Sequence, residues 1–498
     1  MTKLRILLAV LIPIILASCS VPLRPFDKEG LLKESKKDIQ LAQADVEPIA
    51  DVLDLNEAIA RGLKYNLDFK VRQLEQALAV DQNAVAAIDM LPKVVGSAGY
   101  YGRSNDAINR SSGSASTFIS TDRGIGTLDL GLSWNVLDFG ASYFNARQQG
   151  DRVLIALERR RKAMHNLVQD IRTAYLRAYV AQSLEIVVLG TIQESEAVLI
   201  NAKQAEHEKL RSPADILKIQ KSILDNLRVL ESIKQELSTA RYELTSLINV
   251  RPGSDFKLGK PPANIMSPSQ LSISVDEMED MAISNNADLR EQLYTARIAK
   301  DDIKKNMLRM FPGISFNMGP HYSSNSYLEN SQWNDAAVQV SWNLLNVLSI
   351  PSQISSGKNA SKLYEKKKIS VVMGLITQVH IARMLYDNSY QALKRDESIL
   401  DVDKRLNEIS QQKVDAHVES KLEHVTYRTA YILSLLRKFQ ALSQLYAAEG
   451  KLRSTLGQEI IAGDVSNVPL NELSLQVGAA MIDWLPNEVA QKNKQKPQ

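Results

Sequence analysis

One cysteine in 498 residues rules out a disulfide framework, so no intramolecular thiol cross-link holds this chain together. After Leu16 there is no run of about 18 apolar residues, so no membrane-spanning helix is expected beyond the first segment. Charge of one sign is also missing. The 60 basic and 57 acidic residues leave a net charge of +3, and the basic clusters lack the interleaved aromatics of a single-strand platform, so no nucleic-acid partner is expected. The chain carries no His-Glu-x-x-His, nucleophile elbow or phosphate loop. An enzyme is therefore not expected, and no catalytic residue, cofactor or metal. His417 and His424, seven apart, read as two solvated side chains rather than a metal pair. What remains is 44% hydrophobic content in periodic arrays, which excludes a disordered chain.

The N-terminus reads as an address. Lys3 and Arg5 precede an apolar run from Ile6 to Leu16, too short to span a bilayer and shaped like a secretory signal. It ends in Leu16-Ala17-Ser18-Cys19, which resembles the bacterial lipobox, so Cys19 is expected to be acylated and to open the mature chain. Ser20 in place of an Asp speaks against retention in the inner membrane. Two or more acyl chains anchor a protein stably where one does not.

The rest of the chain is written twice. Leu91-Pro92 returns as Phe311-Pro312, 220 positions on, whereas Leu132-Ser133-Trp134-Asn135 returns as Val340-Ser341-Trp342-Asn343 at 208. Ser246-Leu247-Ile248-Asn249 and Ser454-Thr455-Leu456-Gly457 keep that 208. The offset changes only between the Pro and the Trp, as a loop of variable length would make it, so the chain is read as internally duplicated.

Each copy has the same expected order. A helix opens at Leu55 and runs to about Met90, with its twin from Val275 to Pro312. A hairpin comes next, over residues 93–137 and 313–345. Along it Leu128, Leu130, Leu132, Trp134 and Val136, and then Val338, Val340, Trp342 and Leu344, alternate with polar or small residues, the period of a strand with one apolar face. Residues 102–126 and 323–335 read as polar loops. The hairpin leads into a helix too long for a globular domain. Residues 141–210 contain no proline, which as one helix gives about 105 Å. Pro213 breaks it, and a return helix carries Ile216, Ile223, Leu230, Leu237 and Leu244 at seven-residue spacing. The second copy repeats the coiled-coil hairpin over 360–457, so each copy ends in a tip.

The divisions expected are a signal peptide (1–18), a lipidated tether (19–51), a first repeat (52–249, its coiled coil over 141–249), a linker (250–274), a second repeat (275–457), and a C-terminal segment with a tail (458–498). Four strands cannot close a barrel, and an open sheet in lipid would leave its edges unpaired. The fold class expected is therefore mixed: an all-α coiled-coil tube plus a transmembrane β-barrel, built by a homotrimer with four strands per chain.

In this order, with its duplication and its lipobox, the chain resembles the TolC-like outer-membrane efflux protein family, in its lipoprotein branch. The likeness covers about residues 50 to 457 and rests on Leu55-Asn56-Glu57-Ala58, the Leu91-Pro92 step, the strand ending in Leu137-Asp138-Phe139-Gly140, and Asp215-Ile216-Leu217 at the hairpin tip. The resemblance implies a trimeric exit duct of a tripartite efflux or type I secretion system. It would sit in outer-membrane lipid, extend into the periplasm, and meet a periplasmic adaptor (membrane fusion protein) joined to an inner-membrane pump of RND or ABC type. A periplasmic coiled-coil adaptor or scaffold is the alternative, though such a protein would lack the alternating strands.

Among the candidate residues, Leu130, Leu132, Trp134, Val340 and Trp342 are expected to face lipid, with Asn135, Ser341 and Asn343 facing water. Arg211, Ser212, Pro213, Ala416, His417, Ser420 and Lys421 mark the adaptor-docking tips. The resemblance places an acidic ring at the channel entrance on the second repeat, where Glu423, 208 beyond Asp215, falls, so Glu423 and Asp215 are the expected entrance residues. The other reading of Glu423 is an exposed coiled-coil charge. The runs Arg159-Arg160-Arg161-Lys162 and Lys366-Lys367-Lys368 read as solvated helix faces.

Overall fold

The computed structural model describes residues 25–483, apart from 111–116, 209–211, 263–270, 272, 309, 419, 459, 462–464 and 466. The expected signal peptide, Cys19 and the tail beyond 483 lie outside the described residues.

The elements run α1 (Lys28–Ala44), β1 (Val52–Leu53), α2 (Leu55–Tyr65), α3 (Leu67–Ile88), β2 (Lys93–Gly102), β3 (Ile108–Arg110), β4 (Thr117–Ile119), β5 (Gly124–Asn135), α4 (Val136–His207) and α5 (Pro213–Leu247). The chain continues through β6 (Lys257–Leu258), α6 (Val275–Asn285), α7 (Ala287–Leu308), β7 (Gly313–Ser323), β8 (Gln332–Ser341), α8 (Asn346–Asp415), α9 (Lys421–Leu456) and α10 (Leu470–Asp483). The order helix, helix, hairpin, long helix, return helix thus occurs twice. α4 has 72 residues and α8 has 70.

Several expectations are corrected. The helix expected from Leu55 to about Met90 is two, α2 and α3, because Asn66 leaves helical backbone at ψ 124° and serves as the N-cap of α3. Its Oδ1 accepts from Phe69 N at 2.9 Å, while its Nδ2 donates to Leu247 O at 2.9 Å, so the break also ties the helix pair to the end of α5. Asn286 does the same for α6 and α7, accepting from Leu289 N and donating to Thr455 O, both at 2.8 Å. The segment 102–126 is not simply a loop, since β3 and β4 pair within it. The long helices start earlier than residues 141 and 360. Asn135 caps α4 by accepting from Leu137 N at 2.8 Å and Asp138 N at 3.1 Å, so Val136 to Gly140 are helix rather than strand. Pro351 lies inside the first turns of α8.

The four long strands form one antiparallel sheet in the order β2-β5-β7-β8. With 10, 12, 11 and 10 residues, each is long enough to cross a bilayer as a tilted strand, which takes about 9–11. β2 and β8 are open edges.

The core sits where the helices cross below the sheet. Leu55, Ile59 and Leu63 of α2 pack with Ile171 and Tyr175 of α4 and Leu244 of α5, all 2% exposed or less. The Tyr175 hydroxyl lies 2.8 Å from the carbonyl oxygens of both Leu53 and Gly259, which locks the short β1–β6 pair to α4. Nearby, Arg172 reaches the Glu449 carboxylate at 3.3 Å and lies 4.5 Å over the Tyr446 ring, and Arg453 shares that carboxylate at 2.7 Å. Burial, together with the charges of Arg161 and Arg453, holds the His165 imidazole down to about 4. α9 ends at Gly457, whose φ of 67° and contact with the Asn285 carbonyl leave no room for a side chain.

α4 is flanked on both sides, by α3 and α7, and ion pairs such as Arg147–Asp301 (3.0 Å) and Arg297–Asp151 fasten it to α7. α3 and α8 each keep a bare side. Val71, Leu74, Leu78, Val85 and Ile88 of α3 form an exposed stripe at three-, four- and seven-residue spacing, and Ile399, Val402, Leu406 and Ile409 of α8 form another. α8 also contains a stretch long and apolar enough to cross a membrane by length and composition alone. In the sequence Gln378, His380 and Arg383 break this stretch into shorter apolar runs, so it does not stand out as one span.

Candidate functional site

Two places carry the candidate residues: the sheet and the two helical tips. On the sheet, Cα partners Leu132↔Met318, Trp134↔Phe316 and Ile314↔Val340 put Leu130, Leu132, Trp134 and Val340 on one face with Met318 and Phe316. Directly paired residues share a face, and residues two apart along a strand do as well. Leu130, Val340 and Met318 are half or more exposed on this face. Trp134 stacks at 6.0 Å on Phe316 and meets Phe139 edge-on at 5.8 Å, so it is partly covered. Trp342 lies one residue past the end of β8, where its Nε1 donates to Met310 O at 3.1 Å.

The opposite face is polar. Asn135 donates to Ser315 Oγ at 2.7 Å, and Ser341 pairs opposite Gly313. Asn343 lies past β8 and caps a turn by accepting from Leu345 N at 3.1 Å. Farther along this face, Ser97 of β2, Asp129 of β5, His321 of β7 and Asp335 of β8 form a row that reaches from one sheet edge to the other. The sequence reading missed this row, because its members come from four separated strands and no local spacing links them.

At the first tip Arg211 lies outside the described residues, and Ser212 and Pro213 are the exposed N-cap and first residue of α5. Asp215 sits in that first turn, 3.7 Å from Lys218, and is exposed. At the second tip Ala416 closes α8, and His417, exposed, takes a left-handed φ of 62° with its Nδ1 3.3 Å from Val414 O. Ser420 caps α9 by accepting from Glu423 N at 3.3 Å, with Lys421 exposed beside it. Glu423 is thus the third residue of its helix, as Asp215 is of α5. Helix N-termini favour an acid there through their free N–H groups and dipole. The helix start accounts for both acids locally, and within one chain both carboxylates face solvent.

His424 is a correction: it is not solvated. It is 2% exposed, and among the described residues neither ring nitrogen has a hydrogen-bond partner. On the facing helix the Ser410 hydroxyl and the Asn407 Oδ1 are buried without partners as well. The two hairpins touch just above the tips through Asn226 Nδ2 donating to Thr426 Oγ1 at 3.2 Å, and through Arg428–Glu194 at 3.0 Å.

Folds built this way exist among solved structures. The Campylobacter jejuni CmeC outer membrane channel aligns with 92% of this chain and 98% of its own at 12% identity and a TM-score of 0.63. The Neisseria gonorrhoeae MtrE outer membrane channel, solved in an open state, covers 81% and 88% at 14% identity and a TM-score of 0.62. The outer-membrane channel OprN covers 81% and 89% at 15% identity and a TM-score of 0.63. The fold is that of the TolC-like outer-membrane efflux channels. No family model and no curated relative matches the sequence. At such identities the agreement lies in the backbone, so the chemistry of the sheet and tips in this chain is read from its own residues.

Among the described residues no group of three or more His, Cys, Asp or Glu side chains could hold a metal ion.

Proposed function

We propose that this chain is one third of a trimeric outer-membrane exit duct, a passive conduit of a tripartite efflux or type I secretion system. The observation that carries this reading is the four-stranded sheet with two open edges and one apolar face. Alone in lipid, β2 and β8 would leave unpaired backbone groups costing several kcal/mol each. Three copies joined edge to edge give twelve strands, an even number of the kind closed barrels use, with the Leu130–Leu132–Val340 face toward lipid and the Asp129–His321 face toward a lumen. The bare apolar stripes on α3 and α8 support the same assembly, since joining copies would bring the two outer helical sides together.

In this reading the long hairpins continue the barrel as an α-helical tube of two matching repeats. Cys19 adds a lipid anchor at the outer membrane. The tips, with Ser212, Pro213, Ala416, His417, Ser420 and Lys421, meet a periplasmic adaptor linked to an inner-membrane pump, and three Glu423 side chains narrow the entrance. Resemblance in fold to CmeC, MtrE and OprN supports the channel role.

Arginine on the two faces tests it. Leu132→Arg or Val340→Arg should cost roughly 2–4 kcal/mol per site near the bilayer midplane and reduce heat-resistant trimer extracted with detergent, while Ser341→Arg should assemble. Equal assembly of the two kinds of variant would take these strands out of the membrane and sink the reading.

A further inference from the structure

The row on the polar face has a chemistry of its own. His321 Nδ1 lies 2.7 Å from Asp129 Oδ1, and its Nε2 lies 3.0 Å from Asp335 Oδ1. An ionised carboxylate can only accept a hydrogen bond, so satisfying both contacts requires N–H on both ring nitrogens, the imidazolium form. The Trp333 ring stacks on the imidazole at 5.5 Å and 16°, and Ser97 Oγ donates to Asp129 Oδ2 at 3.4 Å. The charged groups paired with His321 are thus one acid from β5 and one from β8. β2 contributes only a hydroxyl, and Tyr322, next to His321 on β7, lies on the other face.

The position is also unusual in the sheet. Pairing of β5 with β7 skips Leu130 and Gly131, which lie opposite Pro320 and Gly319. Pro320 has no N–H to give the ladder, so the Asp129–His321 contact bridges the strands beside a gap in their backbone bonding. With the imidazolium in place, each chain carries two carboxylates and one cation here. Without that proton the same spot carries two uncompensated negative charges.

We propose that this Asp129–His321–Asp335 bridge, repeated around the lumen, adds to the preference of the duct for cations and makes that preference rise with pH. The inference rests on the duct reading, because only a closed barrel turns one polar face into a pore wall. A ring of like charges on a pore wall biases permeating ions by proximity, without a bound ligand. Tied to the wall by both nitrogens, His321 tunes the net charge of that ring.

The test is the reversal potential of the full-length protein in planar bilayers under a KCl gradient, at about pH 6 and about pH 9, on either side of the ordinary histidine range. The wild type should select cations more strongly at the higher pH. His321→Gln should select strongly at both and lose the pH response. Asp335→Asn, on the strand that joins the next copy, leaves the Asp129–His321 contact intact and should weaken selectivity at both pH values, which a merely structural staple would not do. A pH response that survives in His321→Gln, or unchanged selectivity in Asp335→Asn, overturns the inference while the duct stands. Protein that inserts as trimer and conducts nothing overturns the duct reading and this inference together.

Discussion

The two helical tips share a frame and differ in what they bury. α4 ends at His207 and α5 begins at Pro213, while α8 ends at Asp415 and α9 begins at Lys421, so each connection has five residues and a serine at the N-cap. Three positions inside the seam then diverge. The first tip places Leu199, Ala202 and Ile216 there, and Ile216 is 2% exposed. The second has Asn407, Ser410 and His424 at the positions 208 further on, with His424 also 2% exposed. The first seam is an apolar seal. The second buries an amide oxygen, a hydroxyl and an imidazole whose polar atoms lack partners among the described residues. A buried polar group left unpaired costs about 1–3 kcal/mol, so two hairpins of nearly equal length should differ in how readily their ends open.

The sharpest way to break this comparison is to move the defect. Ile216→His gives up the burial of an isoleucine and adds an unpaired imidazole, for a loss of about 3 kcal/mol in local stability. Amide hydrogen exchange along 196–228 should then speed up by about two orders of magnitude. Unaltered exchange would mean that this seam does not hold the tip closed. The reverse change is smaller. His424→Ile should tighten the second tip by about 1–2 kcal/mol and slow exchange along 404–436 roughly tenfold, bringing it closer to the first. If exchange there does not slow, the imidazole has a partner in the assembled protein, and the contrast between the tips disappears.

The smallest stability effects belong to the two acids, where the comparison is sharpened rather than broken. Asp215 and Glu423 each occupy the third residue of a helix, so Asp215→Asn and Glu423→Gln should each cost about 0.5 kcal/mol through the helix N-terminus. Their effects on conduction should differ. If three Glu423 side chains narrow the entrance, Glu423→Gln relieves block by multivalent cations in planar bilayers and Asp215→Asn does so less. Equal effects would leave Glu423 as a capping acid like its counterpart.

How far the fold could be read in advance depended on the range of the interactions. The Leu128–Leu130–Leu132 alternation and the Ile223–Leu230–Leu237 spacing are local periods, and the strand and the helix appear where those periods put them. Asn66 and Asn286 were harder to see. A residue that breaks a helix and caps the next looks like one polar position in a continuous amphipathic pattern, and its second bond, to Leu247 or Thr455, comes from far along the chain. His424 differs from its sequence pattern for a related reason: near a tip a histidine reads as solvated, and only the packing of α8 against α9 buries it.

Sequence by itself determined the repeating order of elements, the long helices and the apolar face of β5 and β8, because hydrophobic periods of two and of three to four residues act over one or two turns of chain. Tertiary structure alone decided the order β2-β5-β7-β8, the gap beside Pro320 and the Ser97–Asp129–His321–Asp335 row, because these depend on the register between strands as many as 196 residues apart. Local patterns say which face of a strand is apolar. Which polar groups meet on the other face is set only when non-adjacent strands dock, since a slip of one residue in β7 would send His321 to the opposite side of the sheet.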